Sequence, residues 1–153
     1  MSEASVQIEL LSELSDANAA ELELLLGQLS TAAFDRSRIA AMLGHDGIEL
    51  FVARDGRRIV GMATLVTVPL PTGWRGHVED VVVDATMRGR GVARLLLERL
   101  TSLASERGLR TLDLTSRPSR ESALRLYEAV GFVRRDTNVL RFTPQPTDGT
   151  SSH

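Results

Sequence analysis

The chain has no cysteine in its 153 residues. That excludes a disulfide framework, a thiolate zinc site and a cysteine nucleophile. Aromatic residues are scarce at 4%, with one Trp and one Tyr. The histidines, His45, His77 and His153, are too scattered to suggest a metal site. No apolar run approaches the roughly 20 residues of a membrane span. The first residues carry no basic-then-apolar leader. The expected location is therefore the cytoplasm, with no membrane partner. A formal net charge of −2 argues against a general nucleic-acid binder, although a local basic patch is compatible with it.

What is present fits one soluble domain with a real core: 42% hydrophobic and 25% charged residues. The domain is expected to span residues 1–142. Residues 143–153 (Thr-Pro-Gln-Pro-Thr-Asp-Gly-Thr-Ser-Ser-His) carry no apolar pattern and are expected to be disordered.

Alternation over 5–11 predicts a first strand. Ser15 or Asp16 can cap a helix over 16–29 with Leu22, Leu25, Leu26 and Leu29 on one side. A short helix at 36–43 ends at Gly44. Strands at 49–54 and 58–68 flank Asp55-Gly56, a strong hairpin signal. Pro69, Pro71 and Gly73 break the chain before a strand at 74–84. The helix from 91 to 107 should bury Val92, Leu95, Leu96, Leu100 and Leu103. A short strand at 111–115 returns through that helix, hence parallel to its predecessor. Pro118 and Ser119 open a last helix, and 132–135 with 138–142 read as a closing hairpin.

One stretch organises the rest. Val78-Glu79-Asp80-Val81-Val82-Val83 reads as a buried strand, because β-branched residues pack well on a pleated surface. Arg88-Gly89-Arg90-Gly91 then opens a helix. Glycine lets the backbone approach a ligand closely, and a helix N-terminus offers unpaired N–H groups and the positive end of a dipole. Strand, Arg/Gly loop and helix start together make a phosphate cradle. Arg94 stands where the dinucleotide fingerprint needs its third glycine, and no Gly-Lys-Ser/Thr triplet marks a P-loop. The pattern met in full is Arg/Gln-x-x-Gly-x-Gly/Ala, at Arg88–Ala93.

That loop resembles motif A of the GNAT superfamily, the acyl-CoA-dependent N-acyltransferases. Residues 119–132, ending Leu126-Tyr127-Glu128-Ala129-Val130-Gly131-Phe132, resemble motif B of the same superfamily. The resemblance covers roughly residues 48–142. It implies an α/β fold, with a mixed and mostly antiparallel sheet, a splayed central parallel strand pair, and helices on both faces. It also implies acetyl-CoA as co-substrate, no metal, and direct attack by a primary amine in a ternary complex. Backbone groups of Val81, Val82 and Val83 would hold the acyl and pantetheine parts. Arg88, Gly89, Arg90, Gly91, Val92, Ala93 and Arg94 would hold the pyrophosphate. Tyr127 would protonate the leaving thiolate, which is poorly stabilised in a dry cleft.

Glu79 is the candidate base for the acceptor ammonium, with partial burial expected to tune it, and His77 is its substitute or relay. Residues 77, 79 and 81 share one strand face unless a bulge intervenes, which leaves Asp80 on the other face in a structural role. Many family members carry an asparagine early in the motif B helix; here Arg120, Ser122 and Leu124 occupy that region. Phe34, Trp74 and Arg117 are candidate acceptor walls. The acceptor is a small-molecule or peptide amine, and a homodimer is among the assemblies the resemblance allows. The alternatives are a non-catalytic acyl-CoA sensor on the same fold and, disfavoured by the missing glycine and the Asp55-Gly56 hairpin, a nucleotide-binding domain with Asp113 as its ribose acid.

Overall fold

The computed structural model describes residues 6–116 and 121–145. In chain order the elements are β1 (Val6–Leu10), α1 (Asp16–Leu29), α2 (Arg36–Leu43), β2 (Ile48–Asp55), β3 (Arg58–Leu70) and β4 (Gly73–Val83). A 3₁₀ turn (Ala85–Met87), α3 (Val92–Glu106), β5 (Thr111–Asp113) and α4 (Glu121–Val130) follow. The sheet order is β1-β2-β3-β4-β5; every neighbouring pair is antiparallel except β4–β5. This is the expected α/β fold with a mixed sheet.

Both sheet faces are covered, which is why β2 reads as a continuous apolar run. Its alternate residues go to two cores. Phe51 and Ala53 join Leu65, Val78, Leu96, Leu97 and Leu100 on the α3–α4 face. Leu50 and Val52 join Leu22, Leu25, Met62 and Val82 on the α1–α2 face. Gly61 lets α3 lie close to β3, since a Cβ there would stand 3.1 Å from Val92 Cγ1 and 3.3 Å from Leu96 Cδ1. Ser15 is the cap of α1, its side chain accepting from Asn18 N at 3.1 Å.

Several details differ from expectation. The tight turn is Gly56-Arg57, since Asp55 still pairs with Arg58. Pro69 lies inside β3 opposite Trp74, so only Pro71 and Thr72 interrupt the β3–β4 hairpin. Leu97 replaces Leu95 on the buried side of α3, and Leu95 is exposed. Residues 117–120, where the last helix was expected to start, lie outside the described residues, as does most of the tail.

The closing hairpin is absent: residues 132–145 form no strand. Val133, Val139, Leu140 and Phe142 are 80%, 73%, 90% and 86% exposed. Their β-branched and aromatic side chains are genuine strand chemistry, but a strand also needs an edge to pair with and a face to bury. Among the described residues this stretch makes no strand pairing and buries none of these four side chains, although the outer edge of β5 has no strand partner.

Candidate active site

The site is built around the far half of β4. β4 pairs with β5 only where Arg75–His77 face Thr111–Asp113. Beyond that point β4 runs on to Val83, and among the described residues no strand pairs with its β5-side edge. A strand edge without a partner presents a row of N–H and C=O groups. Val81, Val82 and Val83 lie on this stretch, past the end of the β4–β5 pairing.

The stretch leads into the glycine loop. Asp84 N still donates to Val60 O at 2.8 Å, and the 3₁₀ turn then buries Met87 as a plug. Arg88, Gly89, Arg90 and Gly91 come next, all exposed. Gly91 caps α3 at φ +79°, the left-handed region that disfavours a side chain, and no side chain caps the helix. The first α3 amide to find a backbone carbonyl is Leu95 N, to Gly91 O at 3.1 Å. The N–H groups of Val92, Ala93 and Arg94 are thus left facing outward at the positive end of α3. Arg94 pairs with Glu98 at 2.9 Å, whereas Arg88 and Arg90 have no acidic partner among the described residues. All seven loop residues named from the sequence lie together here.

β4 carries a bulge in mid-site. Met62 pairs with Val82 and Thr64 with Glu79, so Asp80 and Val81 face a single β3 residue. Asp80 takes up the extra residue at φ +53°, the one non-glycine in the left-handed region among the described residues. The facing changes in consequence. His77 and Glu79 lie on the α1–α2 face, because Val78 packs with the α3–α4 core; Val81 and Val83 pack with that core too. Glu79 and Val81 therefore do not share a face. Asp80 is not turned to the α3 side: it lines a cavity of about 30 Å³ with Leu22, Leu26, Ile39, Met42 and Thr64. An Asp inside an apolar strand is the one sequence signal that points to such a break, since Asp is depleted in strands.

Glu79 and His77 are both exposed, so the burial expected of Glu79 is not found. His77 stands beside Asp113 on β5. Tyr127 packs on the other face against the α3–α4 core, with the Phe132 ring edge-on at 6.3 Å. The acid and base candidates thus lie on opposite faces of the sheet. Phe34 packs against the α1–α2 core, while Trp74 lies at the far end of β4, 52% exposed on the α3 side, away from Glu79. Arg117 and Arg120 lie outside the described residues, and Ser122 is exposed. A surface depression of about 500 Å³ lies elsewhere, between α1 and the β2–β3 turn. Its Arg54 is already bonded to Glu9 and Asn18, and its Glu21 to Ile59 N.

A sheet whose parallel pair is short, leading into an amide-lined loop at a helix start, is suited to a class of ligands that carry a diphosphate on an extended arm. Residues 13–132 match the Acetyltransferase (GNAT) family, and the chain belongs to that family of acetyltransferases, which use acetyl-CoA. A glucosamine 6-phosphate N-acetyltransferase of Trypanosoma brucei brucei is 37% identical over 71% of this chain and 78% of its own length. A protein of the same description from Oryza sativa subsp. japonica is 36% identical over 65% of this chain and 61% of its own. The crystal structure of a Trypanosoma brucei acetyltransferase superposes with a TM-score of 0.77 at 30% identity, covering 91% of this chain and 99% of that one. Among the described residues no helix is long and apolar enough to cross a membrane, and no cluster of candidate metal ligands occurs.

Proposed function

We propose that the protein transfers the acetyl group of acetyl-CoA to the amine of a small phosphorylated amino sugar such as glucosamine 6-phosphate. The observation that carries the donor half is the unpaired β4 edge ending at the amides of Arg88–Arg94. The acceptor half rests on the two glucosamine 6-phosphate N-acetyltransferase relatives.

In this reading Val81, Val82 and Val83 take the acyl and pantetheine parts as an added strand would be taken, and the loop from Arg88 to Arg94 takes the diphosphate. The acceptor enters from the α1–α2 face. Glu79, directly or through water, removes a proton from its ammonium, and Asp80 adds a second carboxylate to hold it. The free amine attacks the thioester carbonyl; the C–N bond forms, the C–S bond breaks, Tyr127 supplies a proton to the departing thiolate, and the second proton that the nitrogen sheds as it becomes an amide passes to water, from which Tyr127 regains its own. The products are an amide and CoA, with no covalent enzyme intermediate. Transfer is favoured over a sensor role because the chain keeps both Glu79 and Tyr127 and because both of these relatives are named N-acetyltransferases.

Thiol release from acetyl-CoA over glucosamine 6-phosphate, glucosamine, an aminoglycoside and a peptide N-terminus tests this directly, without background from protein thiols. Preference for the phosphorylated sugar supports the proposal. CoA binding with no turnover on any acceptor would make the chain a sensor instead.

The protein would act as a homodimer. Each chain carries one exposed apolar arm, from Val133 to Phe142, and one sheet edge at β5. A second copy whose β5 edge receives that arm covers both. Sedimentation velocity should show a dimer that Leu140→Asp with Phe142→Asp dissociates; a monomeric wild type refutes it.

A further inference from the structure

The side-chain amide of Gln28, in the last turn of α1, holds the entry to the glycine loop. Its Nε2 donates to Asp84 Oδ1 at 2.9 Å, and its Oε1 accepts from Ala85 N at 3.1 Å. Two consecutive residues are thus gripped by the two ends of one amide. The second carboxylate oxygen of Asp84 accepts from Thr86 N at 3.2 Å and from the Thr86 hydroxyl. Arg58 Nη1 stands 3.9 Å away. Hydrogen bonds from Thr86 first, and then from Gln28, hold this carboxyl below its ordinary range.

The grip lies at the start of the donor loop, and its position matters for that reason. Arg88 comes directly after the 3₁₀ turn, and from Gly89 to Arg94 no amide donates to a backbone carbonyl among the described residues. The loop is therefore held only at its two ends, by α3 behind it and by the Asp84–Met87 turn in front. The front end is pinned to α1, the same helix whose Leu22 and Leu26 line the cavity at Asp80 on the acceptor face.

We infer that Gln28 and Asp84 are positioning residues for the donor loop: their paired hydrogen bonds set where the loop amides face, and they tie that setting to the helix that lines the acceptor side. This rests on the donor site proposed above. Preorganised donors bind a ligand without a further ordering cost, so losing the grip should appear in affinity for CoA more than in fold stability.

The test is calorimetric titration with CoA, beside the melting temperature of the free protein, on wild type, Gln28→Ala, Gln28→Glu, Asp84→Asn and the double variant Gln28→Glu/Asp84→Asn. Gln28→Ala should weaken CoA binding at least tenfold, the effect of losing one neutral hydrogen bond and one to a carboxylate. Gln28→Glu sets two carboxylates against each other and should weaken it at least as much. The double variant reverses the polarity of the pair. The introduced carboxylate accepts from Ala85 N and from the introduced amide at position 84, while that amide's oxygen still accepts from Thr86 N. Binding should return to within about twofold of wild type, a recovery that general destabilisation would not give. Single variants that bind CoA as tightly as wild type, or a double variant no better than its parents, would overturn the inference alone. A wild type that does not bind CoA would remove the donor site itself, and this inference with it.

Discussion

Gly91→Ala separates the cradle from the fold. Gly91 sits at φ +79°, and a Cβ built there meets nothing within 4 Å. The substitution therefore costs only backbone strain, about 1–2 kcal/mol for an L-residue in the left-handed region. For a domain of this size that is a fall in Tm of roughly 2–8 °C. Gly108 provides a matched control: its φ is +69°, and its Cβ position is equally open. It comes after α3 rather than before it, at the end remote from the loop. Gly108→Ala should lower Tm by a similar amount. The two should part on titration with acetyl-CoA. At position 91 the new methyl lies where the diphosphate must approach the amides, and losing one charge-assisted bond at about 1.5–3 kcal/mol weakens binding roughly 10- to 150-fold. At position 108 the Kd should stay within twofold. Equal changes in Kd for the two variants would refute the assignment of the loop, because strain alone would then explain both.

Tyr127→Phe should lower kcat about 10²–10⁴-fold with the KM for acetyl-CoA within twofold, the range of one proton transfer; thiol-release kinetics across pH check it, and full turnover at every pH excludes thiolate protonation. Glu79→Gln should lower kcat/KM for the acceptor by about 10²-fold, the low end for general bases because Glu79 is exposed, and the loss should shrink as rising pH deprotonates the acceptor itself. The Asp84 carboxyl is held below its ordinary range by Thr86 and Gln28, so its contribution to stability is present above the unfolded pKa and is lost as pH falls through the folded one. Thermal melts of Asp84→Ala against wild type should therefore show a gap that is constant from neutral pH to about pH 5 and narrows below about pH 4; a gap that widens in acid reverses the sign and sinks the assignment.

Both extents and types of α1 and α2 were legible because cap and period agree: Ser15 before a leucine repeat, Asp35 and Gly44 around Ile39 and Met42. The loop was legible because Arg88–Ala93 combines two glycines, a preceding β-branched run and a following amphipathic helix. Facing within elements was less so. Leu95 and Leu97 are equally hydrophobic, and which of them is buried depends on how α3 lies on the sheet, where Gly61 makes room for Val92 and Leu96. The arm from Val133 to Phe142 reads as strand because strand chemistry is local, whereas an edge to pair with is not. Gln28 gave no signal at all: it is an exposed polar residue on a helix, and its partners lie 56 and 57 positions away.

The backbone and the carboxylate of Asp80 can be tested apart. A left-handed non-glycine costs on the order of 1 kcal/mol, and such strain persists where its surroundings impose it. Asp80→Asn keeps the shape and suits the left-handed region at least as well, so its Tm should be unchanged or slightly raised. Asp80→Gly releases the strain and should gain a few degrees, provided the carboxylate does not hold the fold. If the carboxylate serves the acceptor, both variants should lose turnover together, by tenfold or more in kcat/KM for the amine, while acetyl-CoA binding is retained. A loss of stability in Asp80→Asn would instead mean that the charge fastens the bulge, and the acceptor face would then be left with Glu79 and His77. Full activity in both variants would mean that the bulge serves only to turn Val81 and Val83 toward the α3 side, with its left-handed residue a consequence of that turn.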